Sequence, residues 1–247
     1  MKLLILGSEG FIGRHCVAYF KTAGMQISGA DLFEQPSASY TYYKISRLSP
    51  ELEEIIENNQ FGAIVNAAGS GNVPYSMSHP LIDFEANCLD TARLLDIIRR
   101  VHPSCRYIHL SSAAVYGNPA QLPVNELHAA SPLSPYGYHK LVAELLCREY
   151  TQLYNLSTAI VRPFSVYGPG LKKQMFWDIH KKLQAETGII TLFGTGKESR
   201  DYIYIKDLVM ALECILLNGE MKAETYNLGS GIETTIEDAV SVYFKAL

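Results

Sequence analysis

Tyr136 and Lys140 stand four residues apart in the run Ser134-Pro135-Tyr136-Gly137-Tyr138-His139-Lys140. In a helix that spacing puts a phenol and an ammonium on one face of a single turn. A cation held beside a phenol favours its ionised form, and so draws a tyrosine, with an ordinary pKa of about 10, towards service as a proton acceptor. Upstream, Ser111-Ser112-Ala113-Ala114-Val115-Tyr116-Gly117 carries two hydroxyls where a strand ends. The chain has 16 tyrosines, so Tyr-x-x-x-Lys is a cheap pattern by itself. Its weight depends on elements that would bring serine, phenol and ammonium together.

The first such element is Lys2-Leu3-Leu4-Ile5-Leu6, an apolar run without polar alternation, as in a parallel strand buried on both faces. Gly7-Ser8-Glu9-Gly10-Phe11-Ile12-Gly13 follows at once, and apolar residues then recur at helical spacing as far as Phe20. Strand, glycine turn and helix in that order let backbone N–H groups approach a pyrophosphate at the positive end of the helix. The candidate cofactor residues here are Gly7, Gly10, Phe11, Ile12 and Gly13; the plainer reading is a tight strand-to-helix turn. A second strand, residues 26–30, ends at Asp31, near the interval of the acidic residue that accepts hydrogen bonds from an adenosine ribose. Its carboxylate would repel a ribose phosphate, and Leu32-Phe33-Glu34-Gln35 holds no arginine or lysine, so NAD is expected rather than NADP. The plainer reading of Asp31 is a solvated residue at a strand end.

Strand-like runs at 63–65, 107–110 and 158–161 alternate with helical patterns at 51–58, 83–101 and 139–153. Alternating βα units predict an α/β, Rossmann-like, doubly wound parallel sheet with helices on both faces. In such sheets ligands bind beyond the carboxyl ends of the strands. Asn66-Ala67-Ala68-Gly69, Ser111-Ser112 and Arg162-Pro163 all fall at that edge. After Val161 the alternation weakens. Residues 1–166 are expected to form the dinucleotide domain, with 203–217 returning to it, and 167–202 with 218–247 a small substrate lobe.

Composition narrows the class. The length and apolar content suit a sizeable core, and a net charge of −4 gives no footprint for nucleic acid or an anionic membrane. The first apolar run is too short for a signal peptide, and no stretch is long enough to span a bilayer, so a cytoplasmic protein is expected. The five cysteines are odd in number and form no Cys-x-x-Cys pair, so they read as reduced. The histidines lack ligand spacing, and no metal is expected.

The glycine turn, Asp31, Asn66-Ala67-Ala68-Gly69, the Ser-Ser-Ala-Ala-Val-Tyr-Gly run, Tyr136 with Lys140, Arg162-Pro163-Phe164-Ser165-Val166-Tyr167-Gly168-Pro169-Gly170, Arg200-Asp201-Tyr202-Ile203-Tyr204 and Tyr226-Asn227-Leu228-Gly229-Ser230-Gly231 occur in this order. Together they resemble the extended short-chain dehydrogenase/reductase family, within it the NAD-dependent nucleotide-sugar epimerases of the UDP-glucose 4-epimerase type. The resemblance covers nearly the whole chain. Members carry more elements after the helix that follows the Asn-Leu-Gly-Ser-Gly strand, whereas this chain stops at Leu247, so its substrate lobe is expected to be short. Near Tyr43-Lys44-Ile45, where the family has an Asp beside an aliphatic residue to meet adenine, only Lys44 aligns.

The resemblance implies roles. Ser112 would donate a hydrogen bond to the reacting oxygen, Tyr136 would take the hydroxyl proton as hydride leaves the same carbon for NAD, and Lys140 would hold the nicotinamide ribose and lower the pKa of Tyr136. Ala67, Ala68, Gly69 and Pro163 would line the cofactor. Arg200 would meet the pyrophosphate of a nucleotide-sugar, the alternative being a surface ion pair with Asp201. Related dehydratases have an acidic residue two or three positions before the equivalent of Tyr116; Ala113 and Ala114 stand there in this chain. That favours 4-epimerisation, or keto-sugar reduction, over elimination; a cofactor-binding module without turnover is the third possibility. Family members often dimerise through two long helices, here 83–101 and 139–153, giving a four-helix contact.

Overall fold

Residues 1–34, 39–47, 51–184, 190–192 and 194–246 are described by a computed structural model. Gln35 of the run after Asp31, and residues 185–189, 193 and 247 of the expected substrate lobe, lie outside the described residues. In chain order the strands are β1 (Lys2–Leu6), β2 (Gln26–Asp31), β3 (Thr41–Lys44), β4 (Ala63–Asn66), β5 (Arg106–Leu110), β6 (Thr158–Pro163), β7 (Ser165–Tyr167), β8 (Ser199–Tyr204), β9 (Lys222–Leu228) and β10 (Glu233–Thr235). The α-helices are α1 (Phe11–Thr22), α2 (Glu51–Asn59), α3 (Val73–Ser78), α4 (Pro80–Phe84), α5 (Asp90–Val101), α6 (Pro135–Tyr154), α7 (Gln174–Gln184), α8 (Ile205–Asn218) and α9 (Ile236–Lys245).

Leu3 and Ile5 of β1 point into one apolar layer with Phe20 of α1 and Leu208 and Leu212 of α8. Leu4 and Leu6 point into the other, with Ile56 of α2 and Leu95 and Ile98 of α5. Successive strand residues face opposite ways, so a strand with helices on both faces needs apolar side chains throughout, which is why β1 shows no alternation. The main sheet runs β3-β2-β1-β4-β5-β6-β9 with every pairing parallel. From β1 the chain adds strands to one side, then crosses to the other at β4. That switch opens a crevice beyond the carboxyl ends of β1 and β4.

Two expectations about helices are refined. The pattern at 83–101 belongs to a helical run that begins at Pro80 and is interrupted by a π-helical turn, Glu85–Leu89. The helix expected at 139–153 begins at Pro135, with Ser134 Oγ accepting the Gly137 N–H at 3.1 Å and proline in the first turn, and ends at the left-handed Asn155.

β7, β8 and β10 form a separate three-stranded sheet. The boundary at 166 therefore falls inside a strand of this smaller sheet. α8 packs on α1, where Tyr19 donates to Glu213 at 2.5 Å, so the chain rejoins the dinucleotide domain at Ile205. The assignment of 218–247 to the substrate lobe needs correction, because Lys222–Leu228 pairs with β6 as the seventh strand of the main sheet. Its polar, partly exposed sequence, KAETYNL, is that of an edge strand, which hides it from a search for apolar runs. Among the described residues no helix is long and apolar enough to cross a membrane.

Candidate active site

The glycine turn is built for close approach. Gly7 has φ +72, and a Cβ there would sit 2.7 Å from the Ala68 nitrogen and 2.8 Å from the Ala67 carbonyl. At Gly13 a Cβ would lie 2.0 Å from the Gly7 oxygen, so α1 can pack this tightly on the turn only with glycine there. Gly10 caps α1 without a side-chain bond, which leaves the N–H groups of Phe11 and Ile12 at the positive helix end available to an anion. Asp31 is buried at the end of β2 and accepts from the Glu9 N–H at 2.9 Å and the Leu32 N–H at 2.7 Å. It is thus a fixed carboxylate at the crevice rather than a solvated strand-end residue.

Gly7, Gly10, Asp31, Ala67, Ala68 and Gly69 line one cleft of about 650 Å3. Asn66 shapes its wall by accepting the Ala68 N–H at 3.1 Å. Gly69 has φ +111, and a Cβ there would lie 2.7 Å from Asn87 Oδ1. Among the described residues that oxygen is buried without a hydrogen-bond partner, while Asn87 Nδ2 donates to the Asp83 carbonyl at 3.1 Å. Asn87 therefore aims an acceptor without a partner among the described residues at the backbone edge of the cleft. A cradle closed to any Cβ, a helix end with free N–H groups and a buried carboxylate fit a dinucleotide with a free ribose diol.

Sequence reasoning missed Arg47 and Arg93, which also line the cleft. Arg47 donates to Asp90 at 3.2 Å and follows β3 in an irregular stretch with no periodic signal. Lys44, the last residue of β3, pairs with Asp31 in register, and its ammonium meets Glu34.

Ser112, Tyr136 and Lys140 gather at the carboxyl edge of β5, outside this cleft. Ser112 caps a short 3-10 turn, Ala113–Tyr116, accepting the Ala114 N–H at 3.1 Å. Gly137 lets the first turn of α6 close on that turn, since a Cβ there would be 2.8 Å from the Ala114 oxygen. Ser112 lies close enough to the Tyr136 phenol to draw its pKa down, and the Tyr136 N–H donates to the buried Ser76 Oγ at 3.1 Å. Lys140 is buried, donates to the Leu110 carbonyl at 2.9 Å, and lies 6.0 Å from the centroid of the Tyr136 ring.

One expectation is corrected here. In the protein alone the phenol of Tyr136 is raised above its ordinary pKa, first by burial, with Ser112 pulling the other way and the Asp83 carboxylate raising it further. Lys140 spends its hydrogen bond on Leu110 and does not lower it. Lys140 itself is pushed down to about 8, mainly by burial. Its folded pKa then lies below the unfolded value of 10.5, so the unfolded chain binds more protons between about pH 8 and pH 10.5. Stability should therefore rise with pH across that window. In Lys140→Met this component of the slope should vanish; parallel Tm–pH curves for the two proteins would contradict the burial described.

Residues 3–229 match the model of the NAD dependent epimerase/dehydratase family. The chain belongs to that family. A protein of Bacillus subtilis (strain 168), named as an uncharacterized UDP-glucose epimerase, is 30% identical over 98% of this chain and 81% of its own. A dTDP-D-glucose 4,6-dehydratase of Dictyostelium discoideum is 29% identical over 94% of this chain and 59% of its own. Among solved structures, the UDP-glucuronic acid 4-epimerase of Bacillus cereus, in complex with UDP-glucuronic acid and NAD, superposes with a TM-score of 0.89 at 26% identity, over 99% of this chain and 82% of that one.

Two further features of this epimerase/dehydratase family member bear on the site. Arg200 lies on β8 with its guanidinium on the Ser199 carbonyl at 2.9 Å, and among the described residues it forms no ion pair. Asp201 faces away and accepts from the Ser230 and Gly231 N–H groups at 2.7 and 2.8 Å, so the alternative of an Arg200–Asp201 pair is set aside. Pro163 closes β6 at the same carboxyl edge and pairs in register with Leu228. Beneath Ser112, Glu144 accepts from Ser111 Oγ at 2.6 Å and from Arg162 at 2.8 and 2.5 Å. Arg162 continues to the Tyr116 hydroxyl at 2.7 Å, which donates to Asn227 Oδ1 at 2.7 Å.

Proposed function

We propose that the chain is an NAD-dependent nucleotide-sugar epimerase acting at C4 through a transient keto-sugar. The observation that carries this is the convergence of Ser112, Tyr136 and Lys140 at the sheet edge, beside a glycine-walled cleft, with Ala113 and Ala114 where an eliminating enzyme would need an acid. Ser112 donates a hydrogen bond to the reacting oxygen. Tyr136 removes the hydroxyl proton as the C4–H bond breaks, and returns it when hydride is delivered to the other face. Lys140 holds the ribose beside the reacting carbon. Bound NAD would supply the hydride acceptor and donor and, when oxidised, a positive ring charge near Tyr136. Arg200 neutralises the substrate's diphosphate, where its planar fork gives paired hydrogen bonds.

Epimerisation regenerates the cofactor, whereas reduction consumes it. The protein loaded with NAD is therefore expected to interconvert UDP-glucose with UDP-galactose, or UDP-glucuronate with UDP-galacturonate, without net change at 340 nm, a wavelength at which only reduced dinucleotide absorbs. Stoichiometric loss of NADH with a keto-sugar would instead indicate a reductase. Binding of NAD with no conversion of any nucleotide-sugar would leave a cofactor-binding module.

A further inference from the structure

Asp83 lies in α4, which packs on α6, and its side chain is fully buried. One carboxylate oxygen, Oδ2, accepts from Nδ1 of His139 at 2.7 Å. A carboxylate only accepts, so His139 carries a proton on Nδ1. His139 directly precedes Lys140 and follows Tyr136 on the same turn of α6. Two further contacts hold that turn: the Cys88 thiol donates to the His139 carbonyl at 3.2 Å, and the Phe84 ring meets the imidazole edge-on at 5.5 Å. On its other side the Asp83 carbonyl accepts from Nδ2 of Asn87, and Asn87 borders Gly69 in the cleft wall. Asp83 thus joins the cofactor cleft to the turn that carries the proposed proton acceptor.

The second carboxylate oxygen, Oδ1, is buried and among the described residues has no hydrogen-bond partner. A strap between two helices needs no charge, and a buried carboxylate with one bare oxygen is costly unless a cation answers it. The cation on the adjoining turn is Lys140, whose ammonium donates to the Leu110 carbonyl and among the described residues forms no ion pair. Burial pushes Lys140 down to about 8, and the charge of Asp83 is the next influence and opposes it. Tyr136 is raised first by burial, and Asp83 adds to the rise against the pull of Ser112. Of the other titratable groups on the elements around Asp83, Cys88 is pushed up to about 12, mainly by burial, Glu85 faces Arg47 at 3.9 Å, and Tyr75 stacks on His79 at 4.3 Å.

We propose that Asp83 is a positioning residue for the reaction: bonded through His139 to the Tyr136–Lys140 turn, it fixes that turn against the cleft wall and answers the Lys140 ammonium with a buried negative charge. This rests on the nucleotide-sugar epimerase reading above. In that role the carboxylate keeps Lys140 charged where burial favours the neutral amine, and it opposes ionisation of the phenol. It therefore sets both ends of the pH range in which the pair works.

The test is kcat against pH on the NAD-loaded protein, with whichever of UDP-glucose and UDP-glucuronate it converts, for wild type and Asp83→Asn. Asparagine keeps an acceptor for His139 and removes the charge. Tyr136 then ionises, and Lys140 loses its proton, at lower pH than in wild type. Both limbs of the profile should move down and the two curves should cross, the variant being faster on the acid limb and slower on the alkaline limb. Asp83→Leu, of similar shape and needing no partner, carries the same expectation where Asp83→Asn does not fold. A rate that falls by one factor at every pH, or does not change, overturns the proposal and leaves Asp83 a strap between α4 and α6. If no nucleotide-sugar is converted, that failure belongs to the epimerase reading, and the pH dependence of Tm decides the role of Asp83 by itself. The folded pKa of Lys140, already below 10.5, falls further without Asp83, so the rise of Tm that begins at about pH 8 in wild type should begin at lower pH in Asp83→Asn. No such difference should separate Lys140→Met from Asp83→Asn/Lys140→Met. Coincident Tm–pH slopes in wild type and Asp83→Asn overturn the proposal.

Discussion

Tyr136→Phe should cut kcat about 10^3-fold on any nucleotide-sugar the protein epimerises, the size expected when a positioned acid–base group is lost. The substitution removes one oxygen and leaves the ring, so the contacts that place the residue persist: its N–H on Ser76 Oγ at 3.1 Å and the Lys140 ammonium 6.0 Å from the ring centroid. KM should change much less than kcat, because the phenol acts on a proton that moves only in the chemical step. NAD should still bind, since Gly7, Asp31 and Gly69 are untouched. A variant that kept within about tenfold of wild-type kcat would remove Tyr136 from the mechanism and point to a water or to Ser112 as the proton carrier. The raised pKa of Tyr136 in the cofactor-free protein adds a second readout. Turnover should climb with pH in the wild type until the phenol is ionised, which the positive ring of oxidised dinucleotide would favour, and Tyr136→Phe should lose that limb.

How much of this was legible in the sequence follows from what makes a residue visible there. β1, β4, β5 and β6 are buried on both faces and so are built around short apolar runs such as Leu3–Leu6, Ala63–Val65 and Ala159–Val161. The glycine turn shows because glycine spacing is itself the physical requirement for packing α1 on β1. Tyr136 and Lys140 show because a helix fixes the distance between residues four apart. Arg47 and Asn87 were not legible as site residues. Arg47 sits in an irregular segment that only tertiary structure folds onto the cleft, and Asn87 lies within a π-helical turn that no local pattern announces. The strand that ends at Asn227-Leu228 was legible, but its place in the main sheet was not, since an edge strand needs little apolar surface. The direction of the Tyr136 shift was misjudged because spacing reports proximity to Lys140 but not that Leu110 takes its hydrogen bond and that burial dominates.

The second large effect concerns stability, and it is expected at Glu144, one helical turn beyond Lys140. Its carboxylate is fully buried and accepts from Ser111 and from both Nε and Nη2 of Arg162, itself only 3% exposed. Arg162 is held well above its ordinary pKa by that carboxylate, against the opposing effect of burial, which is the largest single influence on it. Glu144→Ala strands a guanidinium in the core beside an unpaired serine hydroxyl, and breaking a buried pair in this way costs about 3–5 kcal/mol. For a chain of this size that is a fall in Tm on the order of 10 °C, read by thermal or urea unfolding of the cofactor-free protein. A loss below about 1 kcal/mol would mean that water reaches the pair and that it contributes little to the fold. The double variant Glu144→Leu/Arg162→Met separates pairing from packing: removing both charges together should recover much of the loss, because neither ion is then left alone. Recovery of stability need not bring back turnover. Ser111 would still lack its acceptor next to Ser112, and the first turns of α6 would lose the anchor that sets the height of Lys140 against Leu110, so kcat should remain depressed in a protein that melts normally.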